Sequence, residues 1–469
     1  MSNKDLIIFS LFFLVFSLKF NYAQDTIVQK FSLKEAQAYA SKNNYTIKNA
    51  IKDINIARGK IRETTAIGLP QVSGSVSYNN MLDIPTMMLP DFLTPSIIGT
   101  NVRYGVLPSS YLDSISYGAA IPVQFGTQHN ASFSASISQL VFNGEYIVGL
   151  QAAKIFLELS QKSLTKSEMD IKEMVAQSYF LVLVAEENKK ILKINYENLK
   201  KTLSETKEMY NEGFVEETDV DQLQLTTTNL KNILASVERQ TKVAYRLLKF
   251  QMGLDLSQKI ELTENLEDIL NQANIQLLFV QEFDINGHID YQLLKTQEGL
   301  SILNLKRQKS AYLPSMAAFF SYQKNALRRE FDFFESGKDW YPTTILGFQL
   351  EIPIFSSGMK HFKVRQATEE LDKIRNTKLQ VEQGLLLEVE QARNDFSTAQ
   401  EKYFNEKENM ELSKKIYDKT LLKYQEGVSS SYELTQTQSQ YVNTQSNYFN
   451  SIFEFLNARS KLEKILTKN

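Results

Sequence analysis

The sequence of this chain contains the same pattern twice, and this duplication constrains its fold more than any other feature. Leu69-Pro70 recurs 244 residues later as Leu313-Pro314. Tyr210-Asn211-Glu212-Gly213 recurs 214 residues later as Tyr424-Gln425-Glu426-Gly427. Because separate parts of the pattern recur in the same order, each half of the chain should carry the same structural unit.

The spacing between the two copies changes along the chain, which locates a difference between them. The offset is 244 up to Tyr78 and falls to 213 where Val141-Phe142 pairs with Ile354-Phe355, so the first copy has an interstrand loop that is 31 residues longer. We assign residues 25–270 to the first repeat and 271–469 to the second. Each repeat should contain a helix, two β-strands and a long helical hairpin.

Residues 1–24 have the features of a secretory signal peptide. Lys4 precedes an apolar stretch from Leu6 to Phe16, and Ala23 offers a small-residue cleavage site. A transmembrane helix needs roughly 20 apolar residues, and Lys19 interrupts this stretch too early. The alternative is an uncleaved membrane anchor.

The composition excludes several classes of protein. The chain has no cysteine, so a disulfide framework, a thiol nucleophile and a lipid-modified N-terminal cysteine are excluded. Its formal net charge is −2, and basic residues alternate with acidic ones along the chain, so nucleic acid is not an expected partner. The 9 prolines and 18 glycines are few for 469 residues, which favours long uninterrupted helices.

Two segments of the first repeat alternate serine with apolar residues, and this period of two predicts half-buried β-strands. The serine face carries Ser73, Ser75, Ser77, Ser132, Ser134 and Ser136. The other face carries Val76, Phe133 and Ile137, and Phe348 and Leu350 form a similar face in the second repeat. Strands of about 9 to 10 residues have the length that crosses a membrane when tilted. The alternative is a soluble β-sandwich, because four strands cannot close a barrel alone.

Two long segments, from Glu145 to Met209 and from Met359 to Lys423, contain no proline. Each predicts a helix on the order of 100 Å long at ~1.5 Å per residue. Shorter helices from Asp219 and from Glu433 should return beside them. The expected apolar seam of the first long helix is heptad-like and consists of Leu164, Ile171, Met174, Ser178, Val182, Leu192, Leu199 and Leu203.

These features together resemble the TolC family of outer-membrane efflux proteins over the whole mature chain. The resemblance rests on the opening segments Ser32-Leu33-Lys34-Glu35-Ala36, Asn43-Asn44 and Leu69-Pro70-Gln71-Val72. It also rests on the Tyr-x-Glu-Gly sequence at both hairpin tips, where an acidic residue follows six positions after each glycine. No single motif is specific, but their order, duplication and spacing are.

The resemblance implies a mainly α protein with membrane β-strands that is complete only as a homotrimer. Each chain would give four strands to a shared twelve-stranded β-barrel in the outer membrane, continued by a long α-helical barrel across the periplasm. A periplasmic adaptor (membrane fusion) protein and an inner-membrane transporter would complete a tripartite efflux pump or type I secretion system. The implied function is that of a passive conduit for small molecules or polypeptides, and no cofactor is implied.

The predicted geometry assigns roles to particular residues. The six serines named above would line a wet lumen, and the apolar face would meet outer-membrane lipid. Tyr78 and Tyr322 lie near expected strand ends, where aromatic belts form, although simple packing explains them equally well. Trp340 should lie in an exposed surface loop of the second repeat. The apolar loop at residues 80–130 could plug, cap or bind at the cell surface.

The hairpin tips carry the sharpest functional hypothesis. Gly213 and Gly427 should end their helices in a left-handed conformation. Asp219, Asp221 and Glu433 follow, and symmetry in a trimer would place rings of these carboxylates around the periplasmic entrance, where they would favour cations. The alternative is that Asp219 and Glu433 simply cap the returning helices, where acids suit the positive helix end.

The sequence gives no support for an enzyme or a metal site. The three histidines, His129, His288 and His361, are scattered and lack metal-ligand spacing. The competing functional hypothesis is a periplasmic coiled-coil scaffold or adaptor that never enters the membrane. Four serine-faced strands of membrane length favour the export channel, because a scaffold has no use for them. Neither the exported substrate nor the lock of the closed entrance follows from the sequence.

Overall fold

The computed structural model describes residues 28–91, 93–113, 120–271 and 281–467. The predicted signal peptide lies outside these ranges. The strands are β1 Gln29–Phe31, β2 Gln71–Asn80, β3 Thr86–Leu89, β4 Ile121–Gln124, β5 His129–Phe142, β6 Ile260–Leu262, β7 Ser315–Arg328 and β8 Tyr341–Glu351. The α-helices are α1 Leu33–Asn43, α2 Tyr45–Ile67, α3 Leu93–Arg103, α4 Ser110–Asp113, α5 Gly144–Asn211, α6 Glu217–Met252, α7 Leu266–Asn271, α8 Ile289–Ser310, α9 Met359–Gln425 and α10 Ser431–Leu466.

The element order repeats along the chain. Helix α2, strands β2 and β5, and the hairpin α5–α6 correspond to helix α8, strands β7 and β8, and the hairpin α9–α10. The compact units do not coincide with these repeats, because each unit draws on both halves of the chain. The sheet unit comprises Arg58–Lys154 and Leu300–Leu371, and the helical unit comprises the remaining described residues.

The two long helices have the extent that the scarcity of proline and glycine predicts. Helix α5 has 68 residues and α9 has 67. Leu192, Leu199 and Leu203 are buried, as their heptad spacing predicts. Met174 is the exception, since 43% of its surface is exposed while Val175 is fully buried. A straight α-helix drifts relative to a strict seven-residue repeat, which explains why the buried stripe moves by one position there.

Two apolar clusters hold the helical unit together. The first includes Tyr179, Phe396 and Phe455, which are fully or almost fully buried; the rings of Phe396 and Phe455 stack with centroids 5.6 Å apart. The second cluster joins both hairpins and includes Leu223 and Leu434. Burying a large apolar side chain contributes about 1.5–3 kcal/mol, so these clusters, rather than helix propensity, stabilise the long helices.

The sheet unit contains a four-stranded antiparallel sheet in the order β2–β5–β7–β8. The strands have 10, 14, 14 and 11 residues, so the middle two are longer than predicted. As a result Tyr322 lies within β7 and not near a strand end, which corrects that prediction. Among the described residues, no helix contains an apolar stretch long enough to cross a membrane.

The long loop between β2 and β5 has some regular structure of its own. Strands β3 and β4 pair in antiparallel fashion, and helices α3 and α4 lie between them in the sequence. The corresponding connection between β7 and β8 spans only residues 329–340. Both connections lie at the sheet end opposite the one from which α5 and α9 continue.

Candidate pore wall and hairpin tips

The register of the sheet separates apolar from polar side chains into rows that cross several strands. One row joins Val72, Ile137, Phe320 and Leu346, one residue from each strand. The row on the opposite face begins with Ser73, Ser136 and Ser321. Because side chains alternate between the faces of a sheet, this register gives one apolar face and one polar face.

The six serines predicted for the lumen form three cross-strand pairs. Their hydroxyl oxygens lie 2.8 Å apart in the pair Ser73–Ser136, 2.7 Å in Ser75–Ser134 and 2.7 Å in Ser77–Ser132. Each pair lies in register across β2 and β5. The structure therefore arranges these residues as a ladder of hydrogen-bonded hydroxyls along one face.

The polar face extends further than the sequence analysis recognised. Ser134 is in register with Gln323 on β7, and Ser132 with Asn325. The alternation of Ser321, Gln323 and Asn325 was available as a signal in the sequence. The sequence analysis assigned only the apolar residues between them, which lie on the other face of β7.

Most of the apolar face of the sheet is left uncovered by the residues that the structure describes. Val72 is 74% exposed, Val76 78% and Phe348 73%. Every residue of β2 is exposed, and so is every residue of β8 except the half-buried Gly347. These two strands are the edges of the sheet and therefore present unpaired backbone groups. A sheet of this kind requires partners at both its edges and its apolar face.

Both hairpin tips end their first helix in the same way. Gly213 has φ +80° and Gly427 has φ +73°, in the left-handed region. The Phe214 N–H donates to the Met209 carbonyl over 2.9 Å, and the Val428 N–H donates to the Lys423 carbonyl over 2.8 Å. The N–H of each glycine also donates to the carbonyl three residues earlier, that of Tyr210 or Tyr424. This pair of bonds is the Schellman motif, which satisfies the last carbonyls of a helix.

The predicted entrance acids Asp219 and Glu433 both bond at the start of the returning helices. One carboxylate oxygen of Asp219 accepts from the Glu216 N–H over 3.1 Å. The other accepts from the Ser431 hydroxyl, so Asp219 connects the two hairpin tips of one chain. Glu433 accepts from the Ser429 hydroxyl over 2.6 Å. The bond from the Glu216 N–H is a capping contact, and both acids lie in the first turn of a returning helix, where a negative charge suits the positive helix end.

Asp221 differs from the other two acids. It is exposed and makes no hydrogen bond or ion pair within the described ranges. No direct bond joins Asp219 to Glu433 either, so the structure places these acids at the same end of the helical hairpins without combining them into one cluster. Ser431, the partner of Asp219, was missed by the sequence analysis because a serine at a helix start is too common to be distinctive.

The duplicated tip motif has different environments in its two copies. Tyr210 is 41% exposed, whereas Tyr424 is only 8% exposed. The Tyr424 hydroxyl lies 2.9 Å from the Thr206 hydroxyl, which links α9 to α5. Burial raises the pKa of the Tyr424 phenol, so it stays protonated at neutral pH and can donate this hydrogen bond. The repeats are therefore alike in sequence but not equivalent in the packed unit.

Further polar side chains join the hairpins where the sequence indicated only a seam. The Asn195 amide donates to the Gln445 side-chain oxygen over 3.0 Å, and the Gln445 amide donates to Asn188 over 3.0 Å. Asn195 and Gln445 are almost fully buried. A buried amide pair of this kind fixes the register between packed helices.

His288 is the buried histidine of the helical unit, at the start of α8. The Asp290 N–H donates to its Nδ1 over 3.3 Å, and the ring contacts Phe283. Burial lowers the pKa of His288, against the opposing influence of Asp290 and Glu388. The described part of the chain contains no group of three or more His, Asp or Glu side chains that could hold a metal ion.

The four-stranded sheet and the two long helical hairpins give this chain the fold of solved outer-membrane channels. Residues 304–467 match the sequence model of the outer membrane efflux protein family. The match covers strands β7 and β8 and the hairpin α9–α10 of this chain. No curated protein matches the chain in sequence.

Solved channel structures share this fold over almost the whole chain. The CmeC outer membrane channel of Campylobacter jejuni has a TM-score of 0.67 at 18% identity, covering 92% of this chain and 85% of CmeC. CusC, whose structures concern transmembrane channel formation, has a TM-score of 0.70 at 15% identity, covering 97% and 96%. The outer membrane protein VceC of Vibrio cholerae has a TM-score of 0.68 at 12% identity, covering 93% and 96%.

Proposed function

We propose that three copies of this chain form a passive export conduit, with their sheets closed into one barrel in the outer membrane. The observation that carries the proposal is the uncovered sheet. Its edge strands β2 and β8 run in opposite directions, because each of the three pairings between them is antiparallel. Strand β8 of one copy can therefore pair with β2 of the next in the same antiparallel manner, and a ring of copies leaves no free edge.

The number of strands supports assembly of several chains. A barrel wide enough to enclose side chains needs about eight strands, and one chain supplies four in this sheet. The copy number of three follows the resemblance to TolC-type channels. In the closed ring the apolar face meets lipid, and the serine ladder with Gln323 and Asn325 lines the lumen.

The helical hairpins complete the proposed conduit on the periplasmic side. Asp219, Asp221 and Glu433 lie at the hairpin tips, so a threefold assembly repeats each carboxylate around the entrance. Asp221 is the strongest candidate for a cation-attracting ring, because it is exposed and its charge is not used by a neighbouring side chain. Rings of carboxylates at a pore favour cations.

The proposed partners follow from the resemblance to TolC-type channels. A periplasmic adaptor and an inner-membrane transporter would supply selection and energy, and this chain would supply the path for small molecules or polypeptides. We also propose that residues 25–270 and 271–469 are the two repeats from which the subunit is built.

The decisive experiment is single-cysteine accessibility in reconstituted vesicles, which the absence of native cysteine makes clean. Cysteine is placed in turn at Val72, Ser73, Val76 and Ser77. We expect a charged, water-soluble maleimide to label the serine positions and leave the valine positions unlabelled until the membrane is dissolved and the protein unfolded. Equal labelling at all four positions would refute a membrane barrel and favour the periplasmic scaffold.

A further inference from the structure

The short loop at residues 329–340 carries an aromatic cluster onto the apolar face of the sheet. Tyr78 lies on that face, because it is an even number of residues from Val72 and Val76 along β2. The Phe331 ring contacts Tyr78 with centroids 5.4 Å apart, and Phe333 does so at 5.9 Å. The loop therefore folds back over the face that the proposed function assigns to lipid.

The cluster continues outward from Tyr78. Its hydroxyl lies 2.9 Å from His129 Nδ1, and Trp340 contacts Phe333 with ring centroids 6.2 Å apart. Trp340 is half-buried, which corrects the prediction of an exposed loop residue. Phe334 is 91% exposed and Phe331 59%, so the cluster presents an apolar outer surface that no other described residue covers.

Asp332 of the loop is paired with two basic side chains, one from β7 and one from the loop itself. The Asp332 carboxylate forms one ion pair with Arg328, Nε to Oδ1 at 3.2 Å, and another with Lys338, Nζ to Oδ2 at 2.8 Å. Arg328 and Asp332 are 11% and 14% exposed at their side chains. Gly337 has φ +88°, which allows the chain to turn back toward β8. These contacts give the loop a defined conformation at the sheet end.

Lys324 is the unusual residue beside this loop. It lies on the apolar face of β7, in the row with Val76 and Phe133, one row inward from Tyr78. It is exposed and forms no hydrogen bond or ion pair with any other residue that the structure describes. A lysine on a lipid-facing strand is tolerated near the interface, where its ammonium group reaches the headgroups.

We propose that Lys324 and the aromatic loop form a binding site for the phosphate of an anionic lipid headgroup in the outer leaflet. The site rests on the proposed function, which places the apolar face in the membrane. Phe331, Phe334 and Trp340 sit at the boundary between headgroups and acyl chains, the usual position of aromatic belts in membrane barrels. Lys324, one row toward the membrane centre, extends outward past them to the phosphate.

Two observations select a lipid rather than a protein as the occupant. The site is continuous with the apolar rows of the sheet, so a lipid that covers Val76 and Phe133 brings its headgroup beside Lys324. The acidic side chain of Asp332 is already paired with Arg328 and Lys338, which leaves the Lys324 cation for an external anion. One lysine at a membrane surface favours anionic lipid by about fivefold, the equivalent of ~1 kcal/mol.

Trp340 makes the proposal testable, because it is the only tryptophan of the chain and lies in the site. The full-length protein is reconstituted into phosphatidylcholine vesicles that contain either brominated phosphatidylglycerol or brominated phosphatidylcholine at the same mole fraction. Bromine quenches tryptophan fluorescence only at close contact. We expect quenching by the anionic lipid at severalfold lower mole fraction than by the zwitterionic lipid.

The variants separate the contribution of Lys324 from general charge effects. Lys324→Ala should abolish the preference for anionic lipid while quenching by both lipids persists, and Lys324→Arg should retain the preference. Lys363→Ala removes the same charge from an exposed position on α9 and should change nothing. The lipid site is overturned if Lys324→Ala keeps the preference for anionic lipid, or if the native protein has no such preference. Either result leaves the proposed function intact. Absence of quenching by either lipid would place the loop outside the membrane and overturn the lipid site, while the cysteine labelling at Val72 and Ser73 decides the proposed function separately.

Discussion

The two faces of the sheet can be distinguished by a matched pair of substitutions, Val72→Arg and Ser73→Arg. Val72 lies on the apolar face near the start of β2, three rows or about 20 Å along the strand from the Tyr78 row at ~3.4 Å per residue. An arginine at the lipid-facing midplane of a membrane barrel costs about 2–4 kcal/mol. Val72 is already 74% exposed in the single chain, so the substitution removes little packing, and almost all of the cost comes from lipid.

Ser73→Arg provides the control, because it introduces the same charge on the neighbouring residue of the same edge strand. Its loss is the 2.8 Å hydrogen bond to Ser136, worth about 0.5–1.5 kcal/mol. In a wet lumen the new guanidinium remains hydrated. We therefore expect Val72→Arg to be the more destabilising by about 0.5–3.5 kcal/mol per chain, a difference that every copy in the assembly repeats.

The assay is urea unfolding of the vesicle-reconstituted protein, followed by Trp340 fluorescence and extrapolated linearly to zero denaturant. Insertion efficiency into preformed vesicles gives a second, independent measurement. Equal costs for the two variants would mean that both faces contact the same solvent. A larger cost for Ser73→Arg would reverse the assignment of lumen and lipid.

Three further predictions concern the helical unit. Gly213→Ala should lower the free energy of unfolding by about 1–2 kcal/mol, because alanine is strained at the positive φ of this position. Gly384→Ala, in an open position of α9, should raise the free energy of unfolding by about 1 kcal/mol, because alanine favours the helix. Similar thermal shifts in both variants would contradict this. Replacing Asp219 and Glu433 by Ala should reduce cation selectivity in planar-bilayer reversal potentials, and unchanged selectivity would reject the acid ring at those positions. Because burial lowers the pKa of His288 below its unfolded value near 6.5, stability should fall as pH drops below about 6.5; His288→Gln should flatten this dependence in urea unfolding measured across that range, and an unchanged slope would contradict the argument.

The duplication carried most of the predictable information in this chain. Offsets such as Leu69 to Leu313 located the same elements in both halves, and period-two serines located β2 and β5. These elements can be predicted from the sequence because they depend on a local pattern: a helix or strand whose two sides contact different surroundings alternates apolar and polar residues with its own period. The positive φ of Gly213 is of the same kind, since a helix that ends in a tight turn needs a residue without a side chain there.

The features that the sequence did not predict depend on contacts between segments that are distant in the chain. Nothing in the sequence around Ser431 indicates that it bonds to Asp219, or that Tyr424 is buried while Tyr210 is exposed. Both follow from the packing of one hairpin against the other, which the repeat pattern treats as equivalent. Tyr322 was expected near a strand end because the alternating apolar face that starts at Met316 reaches only to Tyr322, whereas β7 continues to Arg328.

The serine ladder has a consequence for the speed of transport. In each of the three pairs one hydroxyl donates to the other across the strands, so half of the serine O–H donors of this ladder are already used and a passing solute meets fewer free donors. The wall formed by these strands also offers a solute no formal charge. In the proposed conduit such a surface keeps the dwell time of a cargo short over this stretch, and molecules of very different chemistry slide past it with comparable ease.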